Sequence, residues 1–138
     1  MRMLGIDYGD VRVGFATCDN NEILATGLKT ETVKGMRGAA KIAAEVAKSE
    51  GVEKIVIGMP INMDGSYGFR AEKTAAFIEL LKEYTTLPVD TFDERCTTVT
   101  AHGFMIESGV KNRKKRSIVD TISAEIILQS YIDRNKEN

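Results

Sequence analysis

The chain reads as an α/β domain on a mixed five-stranded sheet, three antiparallel strands followed by two parallel ones, with helices on both faces. Three observations carry that reading. Two apolar runs, Met3-Leu4-Gly5-Ile6 and Val11-Arg12-Val13-Gly14-Phe15-Ala16, flank the short Asp7-Tyr8-Gly9-Asp10 segment in the manner of a hairpin. The apolar spacing then becomes helical at Ala39, Ile42, Ala43, Val46 and Ala47. Further on, Lys54-Ile55-Val56-Ile57-Gly58-Met59 is a short β-branched run that suits a buried parallel strand.

Each element follows in turn. Cys18-Asp19-Asn20-Asn21-Glu22 is a turn, and Ile23 to Leu28 gives a third strand that completes an antiparallel meander. The first helix stops at Gly51. After the Lys54–Met59 strand, Pro60 to Phe69 forms a loop containing Gly65 and Gly68. A second helix places Thr74, Phe77, Ile78 and Leu81 on one face, and Leu87 to Phe92 gives a last strand that delivers Asp93-Glu94-Arg95. Thr97 or Thr98 caps a third helix carrying Phe104 and Met105, which Ser108-Gly109 ends. Lys111 to Arg116 holds five positive charges in six residues, and Ser117-Ile118-Val119-Asp120 opens a final helix through Ile126, Ile127, Leu128 and Tyr131. The order βββ-α-β-α-β-α-α is a ribonuclease-H-like one, closed by right-handed crossovers.

At 138 residues the chain fits a single domain, 1–138, large enough for a true core. Its 43% apolar and 28% charged residues argue against disorder and against a membrane span. Arg2 is followed at once by a strand-like segment rather than an apolar signal core, so a cytoplasmic location is expected. Cys18 and Cys96 lack the spacing of a disulfide framework or a zinc site and are expected to be reduced. The net charge of -1 does not advertise nucleic-acid binding. The placement of charge does.

Phosphodiester hydrolysis assisted by divalent ions needs several carboxylates on one spot, because hard cations take oxygen ligands and must clamp attacking and leaving oxygens. Asp7 ends the first strand, Asp93 and Glu94 end the last, and Asp120 shares a helical stripe with Ala124, Ile127 and Tyr131. Each acid also has an ordinary reading. Asp7 fits a turn, Ser117-x-x-Asp120 fits a capping box, Asp93-Glu94-Arg95 fits an exposed ion-paired turn, and Asp64 precedes Gly65 as a turn residue would. Convergence at one sheet edge is what singles the set out. The basic run leads directly towards Asp120, so a phosphate backbone held by Lys111, Arg113, Lys114, Lys115 or Arg116 would lie beside the acids, with Arg12, Arg70 and Arg95 adding contacts. Few aromatics flank these charges, which argues against a stacking platform. His102 reads as an ordinary helix residue, and no nucleophile triad is apparent.

With Asp7-x-Gly9-x-x-Arg12-Val13-Gly14, Gly58-x-Pro60 followed by Asp64-Gly65, Asp93-Glu94-Arg95-x-Thr97-Thr98, and Lys115 leading to Val119-Asp120 and Ala124, the whole chain resembles the YqgF/RuvX family of Holliday junction resolvases or pre-16S rRNA nucleases. The resemblance implies a ribonuclease-H-like fold, a metal-dependent nuclease, and catalytic, metal-binding acids at Asp7, Glu94 and Asp120. Glu125 departs from the small residue usual beside Ala124. In the related RuvC resolvases an acid sits on the strand next to the first, whereas here that strand ends in Gly58-Met59-Pro60. With strands about 4.8 Å apart, an acid one strand further out starts roughly 10 Å from Asp7 and reaches a shared ion only by leaning inward or through water, which suits Glu94 better than Asp93. Gly9, Gly58, Pro60, Asp64 and Gly65 are expected to form loops that let substrate approach the sheet edge.

The leading functional expectation is a Mg2+- or Mn2+-dependent hydrolase acting on structured nucleic acid, either an rRNA precursor at its 5′ end or branched DNA, with ribosomal particles as partners and a monomer or homodimer as the working unit. Two alternatives come from other classes. One is an actin- or sugar-kinase-like phosphotransferase, against which the short length counts; the other is a non-catalytic nucleic-acid-binding module.

Overall fold

The computed structural model describes residues 1–96 and 113–137. β1 (Met3–Tyr8), β2 (Arg12–Cys18) and β3 (Ala25–Thr32) form the meander. α1 (Gly35–Glu50), β4 (Lys54–Met59), α2 (Phe69–Leu81) and β5 (Val89–Asp93) follow, then a 3-10 turn at Glu94–Cys96 and a long helix, α3 (Arg113–Glu137). One sheet of order β3-β2-β1-β4-β5 results, with β1 parallel to β4 and β4 parallel to β5.

Alternation along the strands divides the interior into two layers, since successive side chains leave opposite faces. Leu4, Ile6 and Tyr8 of β1 join Val13, Phe15, Ile55 and Ile57 in the core under α1 and α2, where the Tyr8 ring stacks on Phe77 at 4.3 Å. Met3, Ala16, Val56 and Phe92 face the other way, against Ala124, Ile127, Leu128 and Tyr131 of α3. The small residues on that second face let the helix come down onto the strands. A Cβ at Gly5 would lie 2.8 Å from Leu128 Cβ, one at Gly27 2.5 Å from Thr121 Cγ2, and one at Gly14 2.2 Å from the carbonyl oxygen of Asp120. Close backbone approach is what glycine supplies inside a strand.

Several boundaries depart from the sequence reading by a few residues, β3 running on to Thr32 and β5 spanning Val89–Asp93, and two of the departures have a clear local cause. The third strand begins at Ala25, not Ile23, because the Asp19 carboxylate accepts the Ile23 and Leu24 amides at 2.8 and 3.2 Å and holds both residues in the preceding turn, exposed. The final helix begins at Arg113, four residues before Ser117, so Ser117-x-x-Asp120 is not a capping box and Asp120 lies inside the helix. Lys and Arg are good helix formers, and the described part of the basic run, 113–116, is accordingly helical. Glu125 and Gln129 on α3 reach the edge strand, accepting the Gly27 amide at 3.1 Å and the Ala25 amide at 2.8 Å. That is the local consequence of Glu125 standing where a small residue was expected. The expected third helix, with its Thr97 or Thr98 cap and His102, and Lys111 of the basic run lie outside the described residues. Among the described residues, no helix is long and apolar enough to cross a membrane.

Candidate active site

Asp7 stands at the carboxyl end of the central strand, paired in register with Gly14 of β2. Because Gly14 has no side chain, α3 settles on it and brings Asp120 beside Asp7. Arg12 lies two residues before Gly14, hence on the same face, and its Nε donates to Asp120 Oδ2 at 2.6 Å; the Asp120 side chain is 20% exposed. Arg12, expected from the sequence to hold nucleic acid, is thus engaged with a neighbouring acid.

Glu94 is the first residue past β5, in the 3-10 turn rather than at the strand end itself. β4 separates it from β1. Gly58 bridges the gap: a Cβ there would lie 3.1 Å from Glu94 Cδ and 2.5 Å from Ile127 Cδ1, so the space over β4 that a side chain would fill is taken by the Glu94 carboxyl group leaning inward. Asp93 is spent differently. The Arg95 guanidinium grips it through Nη2 at 2.6 Å and Nε at 2.9 Å, and the Arg95 amide donates to it at 2.9 Å. The Arg95 side chain holds Asp93 below the usual carboxylate range.

The electrostatics bind Asp7 to its neighbours. Burial, then the negative charges of Glu94 and Asp120, push its pKa from 3.8 up to about 8, with Arg70 opposing. Glu94 is raised as well, chiefly by burial, with Arg70 again opposing and Asp93 adding to the rise. Arg70, near the start of α2, borders two adjoining clefts. One, of about 320 Å³, holds Asp7, Arg12 and Asp120; the other, of about 480 Å³, holds Pro60, Phe69, Glu94 and Arg95. Among the described residues, no three Asp, Glu, His or Cys side chains are gathered as a ready coordination shell. The Asp120 carboxylate is turned to Arg12.

The remaining predicted positions take structural places around these clefts. A Cβ on Gly9 would lie 2.6 Å from the Arg12 carbonyl oxygen, so glycine lets the β1–β2 turn close. Asp64 accepts the Ser66 amide and hydroxyl at 2.9 and 2.6 Å, which lowers its pKa and makes it the organiser of its own turn, with Gly65 at φ 89°. The backbone of Arg113, Lys114, Lys115 and Arg116 forms the opening turn of α3, on the helix that carries Asp120.

Sequence reasoning missed three features. Arg70 appeared only as one more possible contact, although its charge acts on both Asp7 and Glu94. Gly14 was not singled out as the seat of Asp120; glycine inside a strand pattern was the available signal. The scarcity of aromatics was overstated, since Phe69 lines the Glu94 cleft at 70% exposure and Tyr67, two residues before it in the chain, is 55% exposed. Gly58→Ala tests the leaning geometry directly. The displaced groups are flexible side-chain ends, so the cost in stability is expected to be about 1–2 kcal/mol by thermal melting, while phosphodiester cleavage falls about tenfold or more as Glu94 is pushed off β4. Full activity would show that the position of Glu94 does not matter.

A mixed sheet of this order, with an acid ending its central strand and further acids brought to it from α3 and from the turn after β5, defines a ribonuclease-H-like protein with a carboxylate-lined strand edge. Residues 1–134 match the model of the RuvX family, whose description is Holliday junction resolvase, and the chain belongs to that family. It is 42% identical over 133 residues to a "Putative pre-16S rRNA nuclease" of Syntrophus aciditrophicus (strain SB), covering 96% of this chain and 89% of that one. It is 45% identical over 135 residues to a protein of the same name from Ruminiclostridium cellulolyticum, covering 97% and 95%. These names are those of nucleases, hydrolases of phosphodiester bonds. The fold is also that of Thermus thermophilus RuvC, solved with a Holliday junction substrate, at TM-score 0.62 and 14% identity over 99% of this chain and 96% of that one. The Fowlpox virus resolvase, solved with Holliday junction DNA, matches at TM-score 0.59 and 12% identity over 98% and 99%.

Proposed function

We propose that residues 1–138 form one catalytic domain in which Asp7, Glu94 and Asp120 bind Mg2+ or Mn2+ and cut a phosphodiester backbone at the sheet edge. The observation that carries this reading is the state of Asp7, a carboxyl group raised to about 8 by burial and by two other acids. Carboxylates crowded at that cost fit a hard divalent cation, whose charge offsets their repulsion. Such an ion, held by Asp7 and Glu94 and by Asp120 once it turns from Arg12, would supply an activated water and charge stabilisation at phosphorus.

The chain's own groups do the rest. Arg70, on the border of both clefts, receives the phosphate charge. Arg12 sets the direction of Asp120 and passes to the backbone when that carboxylate turns. Arg95, fixed by Asp93, and the basic start of α3, with Lys111 before it, guide the strand in; these contacts are electrostatic and weaken with salt. At neutral pH Asp7 holds a proton in the site as it stands and releases it when positive charge enters. The substrate is structured nucleic acid, and the relatives' names favour an rRNA precursor, met in the cytoplasm on ribosomal particles, over a four-way DNA junction. Family membership displaces the phosphotransferase alternative.

The test is cleavage of labelled precursor rRNA and of a four-way DNA junction with Mg2+ or Mn2+, comparing wild type, Glu94→Gln and Asp93→Asn. Glu94→Gln is expected to lose about 10²–10³-fold in rate, whereas Asp93→Asn stays within about tenfold, since it loosens only Arg95. Binding without cleavage by the wild type would replace the nuclease with a binding module.

A further inference from the structure

Resting on the nuclease reading above, we propose that the β4–α2 loop and Phe69, the first residue of α2, form a stacking shelf that takes an unpaired nucleobase beside the scissile phosphate, so that the favoured substrate is single-stranded at the cut. Phe69 and Met63 both line the cleft that contains Glu94, and they are 70% and 85% exposed. Folding gains little from either. The face that α2 buries is formed by Ala71, Thr74, Phe77, Ile78 and Leu81, and Phe69 is not part of it. Together with Pro60 and Ile61, Phe69 and Met63 form an apolar patch on a cleft that also carries Arg70, Glu94 and Arg95, and a contiguous apolar patch rimmed by polar groups marks a place where something binds.

The loop that leads into Phe69 has a firm base. Asn62 donates twice to Ser66, its amide to the Ser66 carbonyl at 3.0 Å and its Nδ2 to the Ser66 hydroxyl at 3.1 Å, and the Gly65 amide donates to the Asn62 carbonyl at 2.8 Å. Lys73 Nζ stands 4.5 Å from the Phe69 ring centroid and 2.9 Å from Asp10 Oδ2, tying the ring to the β1–β2 turn. The same cleft carries Arg70 and Arg95. Positive charge for a phosphate beside an apolar ring for a base is the combination that single-stranded nucleic acid fits, because every base has a π-face, whereas bases within a continuous duplex keep theirs stacked on one another.

The test is equilibrium binding of a short single-stranded RNA carrying 2-aminopurine, and of the same strand in a duplex, with Ca2+ replacing Mg2+ to hold off cleavage. Wild type is expected to quench the fluorescent base and to prefer the single strand. Phe69→Ala is expected to bind the single strand about tenfold more weakly, Phe69→Tyr to restore binding, and the duplex to be indifferent to both; the side chain is exposed, so both variants should fold as wild type does, and circular dichroism checks it. If wild type cuts nucleic acid with Mg2+ yet shows neither quenching nor any loss in Phe69→Ala, the shelf is overturned and the nuclease reading stands. A dimer that Phe69→Ala dissociates would assign the ring to a second copy of the chain and overturn the shelf too. If wild type neither binds nor cuts either strand form, both fall together.

Discussion

Asp7→Asn is expected to abolish cleavage and at the same time to make the protein more stable in alkaline buffer. The loss should be about 10³-fold or more, on the order of 4 kcal/mol of transition-state stabilisation, because the central anionic ligand is gone. The gain in stability comes from the same carboxyl group. Its pKa is about 8 in the folded chain against 3.8 ordinarily, so between those values the folded state keeps a proton that the unfolded state has released. Stability therefore falls as pH rises through roughly 4 to 8 and levels off above, where native and unfolded states are both ionised at this group. Asparagine cannot ionise. In EDTA the variant should match wild type near pH 4 and exceed it by on the order of 2–4 kcal/mol at pH 8–9, read as a Tm that declines with pH in wild type and much less in Asp7→Asn. Adding Mg2+ or Mn2+ should raise the wild-type Tm and leave the variant's nearly unchanged. A parallel pH dependence in both proteins would mean that Asp7 is not the strained acid of this site.

This opposition between stability and function explains why some of the site was legible in sequence and some was not. Strands and helices that bury an apolar face announce themselves by period, as β1, α1 and β4 do, and the sheet followed from their order. An acid at the end of such a strand is equally visible, so Asp7 could be placed from residues alone. Asp120 was placed on the right stripe but for an incomplete reason, since the capping geometry that competed with catalysis vanishes once α3 is seen to start at Arg113. Glu94 was preferred to Asp93 on reach, yet the agent that makes the reach possible is the absent side chain of Gly58, and absences carry no period. Arg70 acts across space from α2, whose residues have no sequence relation to β1 or to the turn after β5. Pairings of that kind depend on tertiary contact, and a short-range pattern does not encode them. The shift of β3 likewise came from one hydrogen-bonding side chain, Asp19, overriding an apolar pair that would otherwise read as strand.

Gly14→Ala should have the largest structural effect of any single methyl group in the molecule's active half. A Cβ there would stand 2.2 Å from the carbonyl oxygen and 2.7 Å from the carbonyl carbon of Asp120. Unlike the flexible ends opposed to Gly58, these are backbone atoms of α3, so no rotamer change relieves the overlap. The helix must lift from β2, and lifting it unpacks Ala124, Ile127, Leu128 and Tyr131 from the sheet. Overpacking against a rigid neighbour is expected to cost about 3 kcal/mol, a fall in Tm of about 10 °C for a domain of this size. Cleavage should drop by more than the unfolded fraction accounts for, measured well below the new Tm, because Asp120 moves with the helix away from Asp7 and from its Arg12 partner on β2. A control separates the two effects. Gly38→Ala lies in α1, where an added Cβ meets nothing within 4 Å, and there alanine is the better helix former. That variant should be as stable as wild type or slightly more so, with cleavage unchanged. Should Gly14→Ala melt and cut like wild type, the close seating of α3 on β2, and with it the placement of Asp120 beside Asp7, would be wrong.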